Sequence, residues 1–238
     1  MVLWLIVCVP FHYPCKLITG RSPWPPRFLR GIAWIIGARV RCEGERLTGD
    51  AFFVSNHMSW MDIPIAGGAT HAAFIAQDAI AGWPLIGWLA RTNNTVFVSR
   101  GDRLGVNDQI AQVRAALAGH QPIVIFPEGT TSDGSGLLPF KPSLFAVLAD
   151  PPRGIRVQPM LIDYGAAAPE LVWVGAEPAP RNAFRMLARK GSFPVRLVFL
   201  EPFDPAATGG RKEIAARAQA AIGAAHSRSV MSTAIRAP

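Results

Sequence analysis

The chain has 238 residues, half of them hydrophobic and only 17% charged, with a formal net charge of +8. That length suits one domain with a real core and is short for two. Three cysteines (Cys8, Cys15 and Cys42) lack any C-x-x-C spacing, which argues against a zinc or dithiol redox site and fits a reducing compartment. The balance is more apolar and less charged than in a typical soluble domain, as lipid contact or a generous core would produce. The positive charge points to a phosphate-bearing partner, either nucleic acid or an anionic membrane face, without choosing between them.

Met1 to Cys15 is almost wholly apolar, and the first charge is Lys16. The run is shorter than the ~18 apolar residues a confident bilayer span needs. It contains Pro10 and Pro14, and no basic residue precedes it as in a signal peptide. It reads as a short or partly inserted anchor. Lys16, Arg21, Arg27, Arg30, Arg39 and Arg41 follow before the first acid, Glu43, with Trp24 and Trp34 among them. Leu29 to Gly37 reads as a short apolar helix. Basic residues interleaved with tryptophan suit a lipid headgroup layer; a packed helix pair with a solvated basic face would give the same pattern. Residues 1–42 are therefore set apart as a membrane-associating segment.

From Glu43 onward, short β-rich runs alternate with helical ones. Strands are predicted at Ala51–Ser55, Thr95–Ser99, Pro122–Phe126, Arg156–Ile162, Leu171–Val174 and Val195–Leu200, as continuous apolar runs bounded by Gly, Pro and Asp. Val106, Ile110, Val113 and Leu117 make one apolar helical stripe that Gly119 closes. Arg211 to Ala225 is Ala-rich and helical. The fold class that follows is α/β, a three-layer mixed sheet flanked by helices, over residues 43–225. Residues 226–238 read as a loosely ordered tail.

Three of these strands end in unusual polar sequence. The first runs into Ser55-Asn56-His57-Met58-Ser59-Trp60-Met61-Asp62. A histidine and a carboxylate here can act as a base and its orienting partner. On a regular helix they would point about 140° apart, so pairing requires a turn or a helix start between them. Asn56 and Ser59 favour both. A capping histidine followed by a helix-start aspartate explains the same residues without chemistry. The second strand runs into Arg100-Gly101-Asp102, where the arginine can fork onto phosphate or pair with Asp102. The third runs into Phe126-Pro127-Glu128-Gly129-Thr130-Thr131-Ser132-Asp133-Gly134. Glu128 can accept hydrogen bonds there or be solvated, and loop N–H groups can cradle an anion. Lys141 can reach the same mouth or snorkel. Ligands of α/β folds collect beyond the carboxyl ends of the strands, so the three motifs together weigh more than any one.

Asn56-His57-x4-Asp62, Val96-Phe97-Val98-Ser99-Arg100, Phe126-Pro127-Glu128-Gly129-Thr130 and Val157-Gln158-Pro159, in that order, resemble the glycerophospholipid acyltransferase family, over roughly Glu43 to Phe203. The resemblance implies His57 as general base and Asp62 as its orienting carboxylate. It implies Arg100 on the acceptor's phosphate and Glu128, Gly129 and Thr130 in the acceptor-binding motif. The implied reaction is direct attack of a lysolipid hydroxyl on an acyl thioester, carried by acyl carrier protein or coenzyme A as co-substrate. No further cofactor and no metal are expected. The implied partners are membrane lipids at the cytoplasmic face of the inner membrane, with no nucleic acid.

The expected acceptor is 1-acyl-glycerol-3-phosphate, with lyso-ornithine lipid as the alternative. Many lysophosphatidate enzymes carry an arginine directly after the Phe-Pro-Glu-Gly-Thr run, where this chain has Thr131; a zwitterionic ornithine headgroup would not need that cation. Asn93-Asn94-Thr95 also replaces a glycine often found before the second strand motif. A lipid serine hydrolase would need a Gly-x-Ser-x-Gly elbow, and Ser135 lacks that spacing. A non-enzymatic basic module would need no His/Asp pair.

Overall fold

The computed structural model describes residues 2–20, 22–98, 106–149, 151, 154–175 and 177–236. Helix α1 (Val2–Thr19) continues through Pro10 and Pro14, and α2 (Trp24–Ile35) starts on Pro25 and Pro26, earlier than the expected Leu29. The body follows as β1 (Ala38–Glu43), β2 (Ala51–Ser55), α3 (Asp62–Thr70), β3 (Ala73–Gln77), α4 (Asp78–Ala81), α5 (Pro84–Thr92), β4 (Val96–Val98) and α6 (Val106–Ala118). Then come β5 (Ile123–Ile125), a 3-10 turn (Pro142–Ala149), β6 (Arg156–Asp163), α7 (Ala168–Leu171), α8 (Ala179–Ala188), β7 (Phe193–Phe199) and α9 (Arg211–Arg236).

Among the described residues, seven strands form one sheet in the order β1-β7-β6-β2-β5-β3-β4. The β6–β7 pair is antiparallel and the others are parallel. Alternation along β2 shows how the layers arise. Phe53 packs into a core shared with Ile32 and Ala33 of α2, Ile65 of α3 and Met186 of α8. Phe52 and Val54 face the opposite core, with Val113 and Leu117 of α6 and Ile214, Ala218 and Ile222 of α9. Central β2 is buried on both faces, so its run is uniformly apolar. The layer carrying α3 is tightly built: a Cβ at Gly68 would come within 2.7 Å of the Arg30 backbone, so only glycine lets α3 settle onto α2.

Three sequence expectations need correction. Leu171–Val174 is not a strand. Leu171 and Val172 are buried by a helical turn begun at Ala168-Pro169, and the Trp173 N–H donates to the Met58 carbonyl rather than to a sheet ladder. β1 and β3 are strands that the apolar-run criterion missed; β1 begins at Ala38, inside the segment set apart as 1–42. The tail from residue 226 is helical through Arg236, because α9 is held to the body along this stretch. The His226 ring bonds the Gly134 carbonyl at 3.0 Å, and Ser229 meets Asp163 and Arg196. Just before β4, Asn94 has φ of 56°, a left-handed conformation that asparagine tolerates.

Among the described residues, no helix is long and apolar enough to cross a membrane. The N-terminal helices instead leave large apolar side chains exposed, among them Leu3, Ile6, Phe11, Leu17, Ile18 and Trp34.

Candidate active site

Strand register brings the motifs together. β2 pairs with β5 on one side (Val54 with Ile125) and with β6 on the other (Ser55 with Met160). The parallel strands therefore release their following loops side by side. The Asn56 side chain locks this arrangement: its amide donates to the Ile162 carbonyl and accepts from the Ile162 N–H, both at 2.9 Å.

Ser59, Trp60 and Met61 form the turn that pairing of His57 with Asp62 requires, with the Asp62 N–H donating to the Ser59 carbonyl at 3.0 Å. Helix α3 starts at Asp62, which is fully buried. His57 Nδ1 lies 2.8 Å from Asp62 Oδ2, and the imidazole keeps 19% of its surface exposed. The same oxygen accepts the Met58 N–H at 2.7 Å and the Ser59 N–H at 2.9 Å. Oδ1 accepts the Tyr164 hydroxyl at 2.5 Å. An ionised carboxylate can be buried when donors surround it in this way. The Phe126 ring stacks on the imidazole at 4.3 Å, and Phe74 backs Phe126.

Glu128 is buried, not solvated. Its Oε1 accepts the His57 N–H at 2.8 Å and its Oε2 accepts the Leu138 N–H at 2.9 Å. Burial pushes its carboxyl above the usual range, against the pull of those two N–H groups and of His57. Glu128 thus spans the loops after β2 and β5. Gly129 sits at φ of +70°, and a Cβ there would meet Lys141 Nζ at 2.6 Å, so the lysine lies across the glycine. Thr130 is exposed beside it. The Ser132 N–H holds the His57 carbonyl at 2.8 Å, and the Thr131 hydroxyl bonds the Trp173 carbonyl. Arg100 lies outside the described residues.

The structure thus joins His57, Asp62 and Glu128 and places Gly129, Thr130 and Lys141 at the same mouth. It adds Tyr164, which the sequence reading missed; the signal was its place directly beyond a strand end, where the other motifs also sit. With Nδ1 committed to Asp62, Nε2 is the ring nitrogen left to accept a proton, the division of labour of a general base.

Residues 39–163 match the model of the Acyltransferase family. The chain is 32% identical to the lyso-ornithine lipid O-acyltransferase of Rhodobacter capsulatus, over 93% of this chain and 86% of that protein. It is 33% identical to the 1-acyl-sn-glycerol-3-phosphate acyltransferase of Neisseria gonorrhoeae, over 54% of this chain and 50% of that one. The fold is similar to the crystal structure of the 1-acyl-sn-glycerophosphate acyltransferase PlsC from Thermotoga maritima, with a TM-score of 0.64 at 24% identity, covering 86% of this chain and 77% of that one. The chain therefore belongs to the acyltransferase family, as an enzyme of the group that includes the lysophosphatidate and other lysolipid acyltransferases.

Proposed function

We propose that this enzyme transfers a fatty acyl group from an acyl thioester to the hydroxyl of a lyso-ornithine lipid, with His57 as general base. The observation that carries the chemistry is the His57–Asp62 pair at the carboxyl ends of the central strands. Nε2 takes the proton as the acceptor oxygen attacks the thioester carbonyl. The tetrahedral intermediate collapses, its C–S bond breaks, and the thiolate leaves with the proton returned from the imidazolium. Asp62 holds the ring and stabilises its charged form. The donor is a thioester of acyl carrier protein or coenzyme A, and no other cofactor takes part.

The acceptor reading is supported by Thr131. Its hydroxyl is committed to the Trp173 carbonyl at the position where a phosphate acceptor favours a cation. Similarity to the Rhodobacter lyso-ornithine enzyme over most of both chains points the same way. Lys141, lying across Gly129 beside Thr130, serves the carboxylate of the zwitterionic headgroup. Lysophosphatidate is the second reading, favoured by the Neisseria relative and by Arg100 in its motif.

The enzyme works at a lipid surface, at the cytoplasmic face of the inner membrane where thioester donors are available. The exposed apolar side chains of α1 and α2 enter the interface. Arg27, stacked on Trp24, and Arg39, stacked on Trp34, meet the anionic headgroups.

The test offers purified protein in mixed micelles either lyso-ornithine lipid or lysophosphatidate with an acyl thioester, and reads products by mass spectrometry. Product from lyso-ornithine lipid that disappears in His57→Ala is expected. Product from lysophosphatidate alone would move the assignment to the phosphate acceptor. Full activity of His57→Ala would remove the base from the mechanism.

A further inference from the structure

The Asp62 carboxylate is served unequally. Three donors crowd Oδ2: His57 Nδ1 and the Met58 and Ser59 N–H groups. Oδ1 is met by the Tyr164 hydroxyl. A carboxylate pivots about its Cβ–Cγ bond, so donors on one oxygen alone leave its plane loosely set. A donor on the other oxygen fixes the plane and hence the direction from which Oδ2 meets the imidazole. Tyr164 is well placed to do this. It is 1% exposed, follows β6 directly and packs against Phe193. It stands two residues beyond Ile162, which the Asn56 clamp binds to the start of the His57 loop.

We propose that Tyr164 is a positioning residue of the acyl-transfer site, acting through Asp62 on His57. The inference rests on the reading of His57 as the base. The hydroxyl does two things. It aims the carboxylate, and it draws part of the negative charge onto Oδ1, which moderates the pull of Oδ2 on the imidazolium. Tyr164 is not itself a base: burial and the adjoining Asp62 charge hold its phenol well above the usual range, so it remains a donor.

Among the described residues, the ionisable groups on the segments around His57 come from distinct elements. Asp62 comes from α3. Glu128 comes from the loop after β5, with its Oε1 on the His57 N–H. Lys141 lies beyond Gly129. Phe126 covers one ring face with an apolar surface, and uncharged Ser132 holds the backbone carbonyl. Of these groups Tyr164 bonds Asp62, so the effect of Tyr164→Phe on the pH profile reads the Asp62 contact.

The experiment measures kcat and kcat/KM against pH for Tyr164→Phe, with thermal unfolding alongside. With the hydroxyl gone, the unshared charge on Asp62 favours the imidazolium, and the acid limb is expected to move up by about 0.5–1 pH unit. Loss of aim is expected to lower kcat roughly tenfold with acceptor KM little changed. In a His57→Ala background the same change is expected to cost nothing further. The opposite perturbation uses the chain's two tyrosines. With exposed Tyr13 changed to Phe, 3-fluorotyrosine labelling reaches Tyr164 alone and makes its hydroxyl a stronger donor, so the acid limb is expected to move down. This arm stays informative if Tyr164→Phe does not fold. A lowered Tm with unchanged kcat and pH profile, or an additional loss in the His57→Ala background, would overturn the proposal. An inactive His57→Ala beside a Tyr164→Phe profile like the native one would sink this inference alone, whereas an active His57→Ala would sink the reading beneath it as well.

Discussion

Thr131 donates its hydroxyl to the backbone carbonyl of Trp173, which joins the loop after β5 to the segment after α7. That segment is held again where the Trp173 N–H meets the Met58 carbonyl at 2.8 Å, one residue from His57. The indole N–H bonds the Glu177 carbonyl at 2.8 Å. Thr131 thus ties together the segments around His57, at the position where many lysophosphatidate enzymes of the resembling family carry an arginine. If acceptor choice depends on that charge, Thr131→Arg will raise kcat/KM for lysophosphatidate relative to lyso-ornithine lipid by about tenfold, equivalent to about 1.4 kcal/mol. Thr131→Val, which removes the bond without adding charge, will raise acceptor KM about fivefold for both lipids, as loss of about 1 kcal/mol predicts. Equal effects of the two substitutions on the ratio would remove Thr131 as a determinant.

Glu128 was read from sequence as an acceptor-binding residue, and the structure puts both of its oxygens on backbone N–H groups. Glu128→Gln distinguishes the two roles. The amide can accept at one oxygen only, so its NH2 group must face either the His57 or the Leu138 N–H. A bracing role predicts that kcat falls roughly ten- to a hundredfold as the His57 loop shifts, with acceptor KM changed less than about twofold. A direct acceptor contact predicts the reverse split, and steady-state kinetics with varied acceptor separates the two.

Asp62→Asn tests the electrostatic part of the pair. Four donors converge on this carboxylate, and an amide cannot accept all of them. Its NH2 group would also favour the wrong imidazole tautomer, a change that costs about 10³–10⁴-fold in kcat where a histidine base depends on its carboxylate. The native enzyme should also lose activity on acidification, as the base takes up a proton. A rate unchanged from neutral to mildly acid pH, or an Asp62→Asn rate near native, would be incompatible with histidine as the base.

Uniform burial made β2 the plainest strand in the sequence. β2 is buried at every position from Ala51 to Ser55, and its apolar run is unmistakable. β1 is an edge strand with Arg39 and Arg41 in it, so alternation with charge hid it. β3 is buried only at Ala73 and Phe74 and offers two alanines in five residues. Leu171–Val174 misled because a short buried apolar run looks the same in a strand and in a helical turn. At the site, spacing and turn residues allowed a His57–Asp62 pair, and the family resemblance chose it over the capping reading. Tyr164 shared the other motifs' place beyond a strand end, but its link to Asp62 depends on the register of β6 against β2, which no local pattern encodes.

The end of α9 makes a stability prediction. Arg196 bonds Glu43 bidentately at 2.9 Å, Asp163 at 3.1 Å and the Ser229 hydroxyl at 3.0 Å. One side chain therefore gathers β1, β7, the end of β6 and the stretch of α9 that had read as tail. The Arg196–Glu43 pair is half exposed, so Arg196→Ala is expected to cost only about 1 kcal/mol, seen as a lower denaturation midpoint at unchanged m. Amides beyond residue 226 should exchange faster. The pH sign follows from Glu43, whose carboxyl is held below the usual range chiefly by its hydrogen bonds to Arg196. A lowered carboxyl pKa stabilises the fold above the unfolded value and ceases to do so as pH falls through the folded one. The gap between native protein and Arg196→Ala should therefore be full at neutral pH and narrow on acidification below the ordinary glutamate range. A gap that stays constant down to that range would mean that Arg196 acts by packing and its bond to Ser229 rather than through Glu43.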